Sequence, residues 1–189
     1  MRMSIPPRRK SPRLPGYDYG TTGTYFITIC VEGRQNLLGH IAEEVLVPTI
    51  AGLMVESWWG NITRRYPNIE LGPYVIMPNH LHGILVVESA ATASSVGEAR
   101  CGLHSQGYDE TIGIPVSLTD VVGWFKSMTT TDYIRGVTDF GWPPFTKRLW
   151  QRSFYDHIIR NEPDLSRIVN YIEDNSRRWA EDQFNPSSS

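Results

Sequence analysis

The chain has 189 residues, 40% of them hydrophobic and 11% aromatic, and a formal net charge of −2, which suits one globular domain with a sizeable core. No run approaches the roughly 18 consecutive apolar residues of a membrane helix, and the basic N-terminus lacks the apolar stretch of a secretory signal. Cys30 and Cys101 lie far apart and match no CxxC metal or redox pattern, so the expectation is a cytoplasmic protein with no membrane partner, and Cys30 a buried thiol.

Charge is unevenly distributed. Residues 1–16 carry Arg2, Arg8, Arg9, Lys10 and Arg13 with no acid, leaving 13 basic against 20 acidic residues in the remainder. A basic, proline-rich arm on an acidic body suits phosphate contact by counterion release, and it equally suits a solvated tail.

"TYFITICVE" (24–32) alternates and is rich in β-branched and aromatic residues, so it predicts a strand. "GRQNLLG" is a turn. From Glu44 to about Arg65, Val45, Leu46, Ile50, Leu53, Met54 and Trp58 recur at helical spacing, with the helix starting near Pro48. "NIELGPYVIMPNHLHGILVVE" (68–88) predicts strands over 70–77 and 81–88, joined by a tight turn at Pro78-Asn79. Residues 89–115 lack an apolar period and predict a flexible loop insertion. A helix over 117–136 has Ser117 as N-cap with Asp120 three residues on, and Val121, Val122, Phe125, Met128 and Ile134 along one face. "GVTDFGWPPFTK" is a loop. Residues 148–160 predict a strand, and Asn161 caps a last helix over about 162–180, with Pro163 in its first turn. No internal repeat is visible. The order strand, helix, strand, strand, helix, strand, helix predicts an α+β, ferredoxin-like two-layer sandwich, an antiparallel sheet with helices on one face. The division is an arm over 1–16, one domain over 17–180 and a disordered tail over 181–189.

On a strand, His80 and His82 in "PNHLHGILVV" project from one face while Leu81 points into the core. Two imidazoles on one face suit a divalent ion; two unrelated histidines at a strand edge would give the same pattern. In "RIVNYIEDNSRR", Tyr171 and Asn175 are four apart on a helix and share a face. Packed beside the histidine strand, they would bring a phenol and an amide oxygen to the same ion. Such a mixed site suits Mg2+ or Mn2+ acting as Lewis acid. Tyr171 also reads as an ordinary helix-surface tyrosine, and spacing alone leaves both readings open.

"MPNHLHGILVV" resembles the HUH motif (histidine, hydrophobe, histidine) of single-tyrosine transposases acting on single-stranded DNA. "RRKSPRLPGYDYGTTGTYFITIC", "FKSMTTTDY" and "LWQRSFYDHIIRNEPDLSRIVNYIEDN" resemble the REP-associated tyrosine transposase branch, so the likeness runs from about Arg8 to Asn175. That resemblance implies His80 and His82 as metal ligands, Asn175 as a third metal-binding side chain and Tyr171 as nucleophile. It further implies cleavage of single-stranded DNA beside small hairpins through a 5′-phosphotyrosine link, in a monomer or a homodimer, within the bacterial nucleoid. The chain departs from the family in one place: "NSRRWAED" stands where members continue with proline after the asparagine, so the last helix is expected to run longer.

Further candidates are weighed against this set. Tyr155 is a rival nucleophile but sits on a strand-like segment without a helical partner. Asp156 and His157 are adjacent on a strand and face opposite ways, so they do not orient each other, and His157 is read as structural. Arg8, Arg9, Lys10, Arg13, Lys126 and Arg152 are the candidate DNA contacts, a basic residue near aromatics being suited to single strands. His40 and His104 carry no case. Two other classes remain: a protein that binds a DNA hairpin without cutting it, and a metal-dependent hydrolase that activates water with the histidine pair and has no need of Tyr171.

Overall fold

The computed structural model describes residues 22–88 and 117–186; the arm with Arg8, Arg9, Lys10 and Arg13, the 89–115 loop, Cys101 and His104 lie outside them. Strands β1 (Gly23–Cys30), β4 (Ile69–Met77), β5 (His80–Val87) and β6 (Tyr155–Ile159) form an antiparallel sheet in the order β4-β5-β1-β6. Helix α1 (Ile50–Gly60) lies between the first two of these strands in sequence, and α3 (Leu118–Phe140) between the last two. This is the βαββαβ order of the ferredoxin-like fold, and the class is α+β as the sequence predicts.

Alternation along β1 and β5 sorts the two faces of the sheet. Tyr25, Ile27, Ile29, Leu81 and Leu85 point into the main core with Val55 and Trp59 of α1 and Val121, Val122 and Phe125 of α3. The opposite face carries Ile84 and the half-buried Phe26 and Val75. There Ile168 and Ile172 of α4 (Glu162–Glu173) pack against them. The predicted single-faced helix layer therefore holds for α1 and α3 only. The apolar stripe of α4 covers the second face, the face of the two histidines.

Several boundaries differ from the sequence reading. Val45 and Leu46 are not helical: β2 (Gly39–Ala42) and β3 (Val45–Pro48) form a hairpin turning on Glu43 and Glu44, both at positive φ. Its apolar residues happen to match the helical template of α1, which begins only after Thr49 caps the Gly52 N–H. The short α2 (Ile62–Arg65) follows α1. The Ser117–Asp120 capping box forms as predicted and α3 runs on to Phe140, ended by Gly141 at φ 69. Thr129 and Tyr133 occupy its buried face, whereas Ile134 is exposed. The predicted strand over 148–160 is regular only at Tyr155–Ile159; Trp150 makes one isolated bridge with Val31. Asn161 caps α4 as predicted, but α4 stops at Glu173. Ser176, Arg177 and Arg178 offer no apolar side chain to the sheet, and the chain turns back instead. Residues 181–186 are consequently not a loose end: Phe184 is 7% exposed, with its ring 4.6 Å from that of His80.

Among the described residues no helix is long and apolar enough to cross a membrane.

Candidate active site

The turn at Pro78-Asn79 is pinned from both sides. The Val31 N–H donates to the Asn79 carbonyl (2.8 Å) and the Leu38 N–H to the Pro78 carbonyl (2.9 Å). Strand β5 thus begins at His80 in fixed register, with His80 beside Cys30 and Met77, and His82 beside Thr28 and Val75. Both imidazoles lie on the α4 face and are almost fully buried, at 0% and 2% exposure.

Burial is the main reason that both rings stay neutral. It holds His80 well below the ordinary histidine value, helped by the neighbouring His82 and Arg34, and lowers His82 to about 3. The tautomer of His80 follows from its neighbours. The Asn79 amide nitrogen donates to the carbonyls of Arg34 (3.0 Å) and Phe184 (2.9 Å), so Asn79 Oδ1 is the acceptor facing His80 Nδ1 at 2.9 Å. His80 Nδ1 carries the proton, and its Nε2 presents a lone pair. His82 Nε2 lies 3.0 Å from that lone pair, and His82 Nδ1 lies 2.7 Å from the Thr28 hydroxyl. Because a hydroxyl both donates and accepts, Thr28 supports either tautomer of His82.

Tyr171, on α4, brings its hydroxyl to 3.2 Å from His82 Nε2, and its ring meets Phe26 edge-on. Burial raises its pKa above the ordinary tyrosine value, partly offset by a hydrogen bond from Asn175. Asn175 is 2% exposed and follows the helix rather than belonging to it. The turn after Glu173, with the Asn175 N–H reaching the Ile172 carbonyl, keeps it beside Tyr171. Its Oδ1 is buried without a hydrogen-bond partner among the described residues.

Asp182, absent from the sequence reading, completes the cluster. Its Oδ2 lies 3.9 Å from His80 Nε2, and one ligand atom each of His80, His82 and Asp182 falls within 4.8 Å of the others. Burial raises its carboxyl pKa, against the Phe184 N–H and Arg34, which favour the anion. These residues fit a divalent ion on three counts. Two nitrogens each roughly 2.1 Å from one centre, at a right angle, stand about as far apart as these two Nε2 atoms do. The Asn175 carbonyl is a hard oxygen donor with no other partner among the described residues. The mixed nitrogen and oxygen set suits Mg2+ or Mn2+, though imidazole admits other ions.

A groove of about 500 Å³ opens over the site, lined by His82, Tyr171, Phe26, Tyr155, His157 and Arg34 among others. Tyr155 is 52% exposed there. His157 has an orienting acid, but it is Asp164 of α4 (2.7 Å) rather than its neighbour Asp156. Lys126 does not face the groove as a free cation: its ammonium donates to the carbonyls of Gln151 (2.9 Å), Ser153 (3.1 Å) and Arg152 (3.5 Å). Arg152 itself is exposed. The Cys30 thiol is buried, and burial pushes its pKa up to about 11. His40 is exposed on β2, away from the cluster.

The fold is that of a REP-associated tyrosine transposase. A solved structure of such a transposase, bound to a REP hairpin, matches with a TM-score of 0.52 at 22% identity, over 83% of this chain and 68% of that one. The chain belongs to one family with an uncharacterized protein of Haemophilus influenzae, to which it is 34% identical over 186 residues, covering 93% of this chain and 92% of that protein. No family model matches.

Proposed function

We propose that the chain is a metal-dependent, transposase-type enzyme that nicks and rejoins single-stranded DNA near hairpins, with Tyr171 as nucleophile. One observation carries this reading: the Tyr171 hydroxyl, on α4, lies 3.2 Å from His82 Nε2, which itself stands 3.0 Å from His80 Nε2. A tyrosine–histidine contact satisfies both buried groups whatever its role; what supports the nucleophile reading is that the phenol also stands beside the two Nε2 atoms that would hold an ion. The hairpin as substrate comes from the solved transposase of this fold, which binds one.

His80, His82, Asp182 and Asn175 would hold the cation, Mg2+ or Mn2+. When bound, it supplies Lewis-acid polarisation of the scissile phosphate. The rest falls to the chain. Asn79 fixes the proton of His80 on Nδ1. In the tautomer of His82 that donates from Nδ1 to the Thr28 hydroxyl, one of the two that Thr28 supports, both Nε2 lone pairs would be free for the ion. Tyr171 Oη attacks phosphorus and the bond from phosphorus to the 3′ oxygen breaks. The phenolic proton ends on that oxygen, leaving a 5′-phosphotyrosine and a free 3′-hydroxyl. The link keeps the bond energy for rejoining. An ordinary tyrosine is already protonated at neutral pH, and burial raises the phenol further in the metal-free protein.

The test is covalent trapping. The protein is incubated with Mn2+ or Mg2+ and labelled single-stranded hairpins from the flanks of its gene, alongside Tyr171→Phe and His80→Ala. A labelled band at the mass of protein plus DNA, absent from both variants, is the expected result. Cleavage that persists in Tyr171→Phe would move the chemistry to activated water. Binding without cleavage under any metal would favour a hairpin-binding protein.

A further inference from the structure

Four described non-glycine residues have left-handed backbone: Arg34 (φ 55), Glu43 (φ 51), Glu44 (φ 64) and Lys147 (φ 67). Glu43 and Glu44 form the two-residue turn of the β2–β3 hairpin, which requires that geometry. Arg34 follows Gly33 in a turn closed by its own N–H on the Val31 carbonyl (3.2 Å), and Lys147 centres a three-residue turn closed by the Arg148 N–H on the Thr146 carbonyl (2.8 Å); backbone of this kind also gathers at functional sites. Both belong to the two loops that enclose one cleft. The loops are tied together by the Glu32 N–H to the Leu149 carbonyl (2.8 Å) and the Gln151 N–H to the Cys30 carbonyl (2.9 Å).

The cleft has a volume of about 620 Å³ and is lined by Arg34, Arg148, Arg152, Gln151, Ser153 and Glu32, with Gly33. Three arginines and a single acidic residue line it. Arg148 and Arg152 have no ion pair or side-chain hydrogen bond among the described residues. Like charges gathered without partners cost free energy, which an anionic ligand recovers through charge-assisted hydrogen bonds. Arg34 connects this cleft with the catalytic groove, since it lines both. It is held in place by donating to the Gln183 carbonyl (2.6 Å) and by lying 5.4 Å over the Phe184 ring.

We propose that Arg34, Arg148 and Arg152 form a phosphate clamp that holds the backbone of the unpaired DNA strand where it passes beyond the Tyr171 groove. This rests on the single-strand DNA reading above and adds to it a second binding site, which adjoins the catalytic groove through Arg34. The cleft is polar and concave. Its lining would set the phosphates of a single strand on the arginines and base edges near Gln151 and Ser153. Lys126 shapes the clamp indirectly, because its three carbonyl contacts fix the 151–153 loop that carries Arg152.

Arg34 is a poor probe because it also holds Gln183, so the test uses the other two. Binding of a labelled thymidine-only single strand is followed by fluorescence anisotropy in chelator, where no cleavage occurs, from about 50 to 200 mM salt. Each phosphate contact contributes roughly 0.7 to the slope of log affinity against log salt. Arg148→Ala/Arg152→Ala is expected to bind more weakly and to lower that slope by about 1.4, and Arg148→Lys/Arg152→Lys to restore it. If the alanine pair fails to fold, the glutamine pair takes its place. An unchanged slope in a folded charge-removed variant overturns the clamp while leaving the enzyme reading intact. A wild-type protein that binds no single strand overturns the DNA reading, and the clamp with it.

Discussion

Asn79 Oδ1 stands 2.9 Å from His80 Nδ1, and both protons of the Asn79 amide are already committed to the carbonyls of Arg34 and Phe184. One buried side chain therefore ties the histidine strand to the loop after β1 and to the C-terminal segment, and sets which nitrogen of His80 is free to bind. Partners of this kind typically contribute 10–100-fold to metal affinity. Asn79→Ala is expected to weaken Mn2+ binding by about that factor in titration calorimetry. Asn79→Asp keeps the acceptor but orphans two carbonyls, so it should retain more affinity than alanine while lowering the unfolding midpoint. Wild-type Mn2+ affinity in Asn79→Ala would refute the argument.

Asp182 and Asn175 offer the oxygens of the cluster, one charged and one neutral. If both face the cation, changing the charge at each should move affinity in opposite directions. Asp182→Asn keeps an acceptor for the Phe184 N–H but removes the anion, and should weaken Mn2+ on the order of tenfold. Asn175→Asp adds an anion where a carbonyl now lies without a partner, and should tighten Mn2+ by a similar factor. Equal affinity in all three proteins would remove both oxygens from the ligand set.

The buried histidines also set a pH dependence for the metal-free fold. His82 is neutral in the folded chain down to about 3, while the unfolded chain takes up its proton near the ordinary value of about 6.5. Below that value the unfolded state binds more protons, so stability falls as the pH falls. The loss is at most roughly 1.4 kcal/mol per pH unit for this group, and it ends once the pH reaches the folded value. Urea unfolding in chelator should show the advantage of wild type over His82→Gln shrinking steadily from about pH 6.5 to pH 4.5. Carboxylates common to both proteins cancel in the difference. A constant difference across that range would mean that His82 is not held neutral by burial.

The parts of the site that were legible in the sequence are those with a local period. His80 and His82 are two apart on a strand, and Tyr171 follows Ile168 on an amphipathic helix, so simple geometry places them. Asn175 was found by helical spacing although the helix ends at Glu173, because the following turn keeps nearly the same direction. Asp182 and Phe184 lie about a hundred residues from the histidines they approach, in a polar stretch that reads as a tail, and nothing local marks them. Asn79 reads as a turn residue, which it is; its second role shows only once Arg34 and Phe184 are in place. The sequence does not mark the β2–β3 hairpin, because its turn is Glu43-Glu44, without the glycine or asparagine that usually marks two-residue hairpins.

Gly83 separates the histidine face of β5 from the core. A Cβ built there would stand 2.4 Å from Trp59 Cζ2, so the indole of α1 lies directly on the strand backbone between His82 and Ile84. Trp59 is fully buried and meets Phe125 edge-on at 5.6 Å, which leaves the ring no free direction in which to retreat. Gly83→Ala should therefore cost about 1–3 kcal/mol, as overpacking in a close-packed core does, read as a lower urea midpoint. Its second consequence is at the site. A strand pushed away from α1 carries His82 toward Tyr171, so Mn2+ affinity should fall along with stability. Gly83→Ala/Trp59→Phe, which removes part of the clashing ring, should recover some of the midpoint. A single Gly83→Ala variant as stable as wild type would show that Trp59 does not rest on the strand and that the histidine face is not set from the core side.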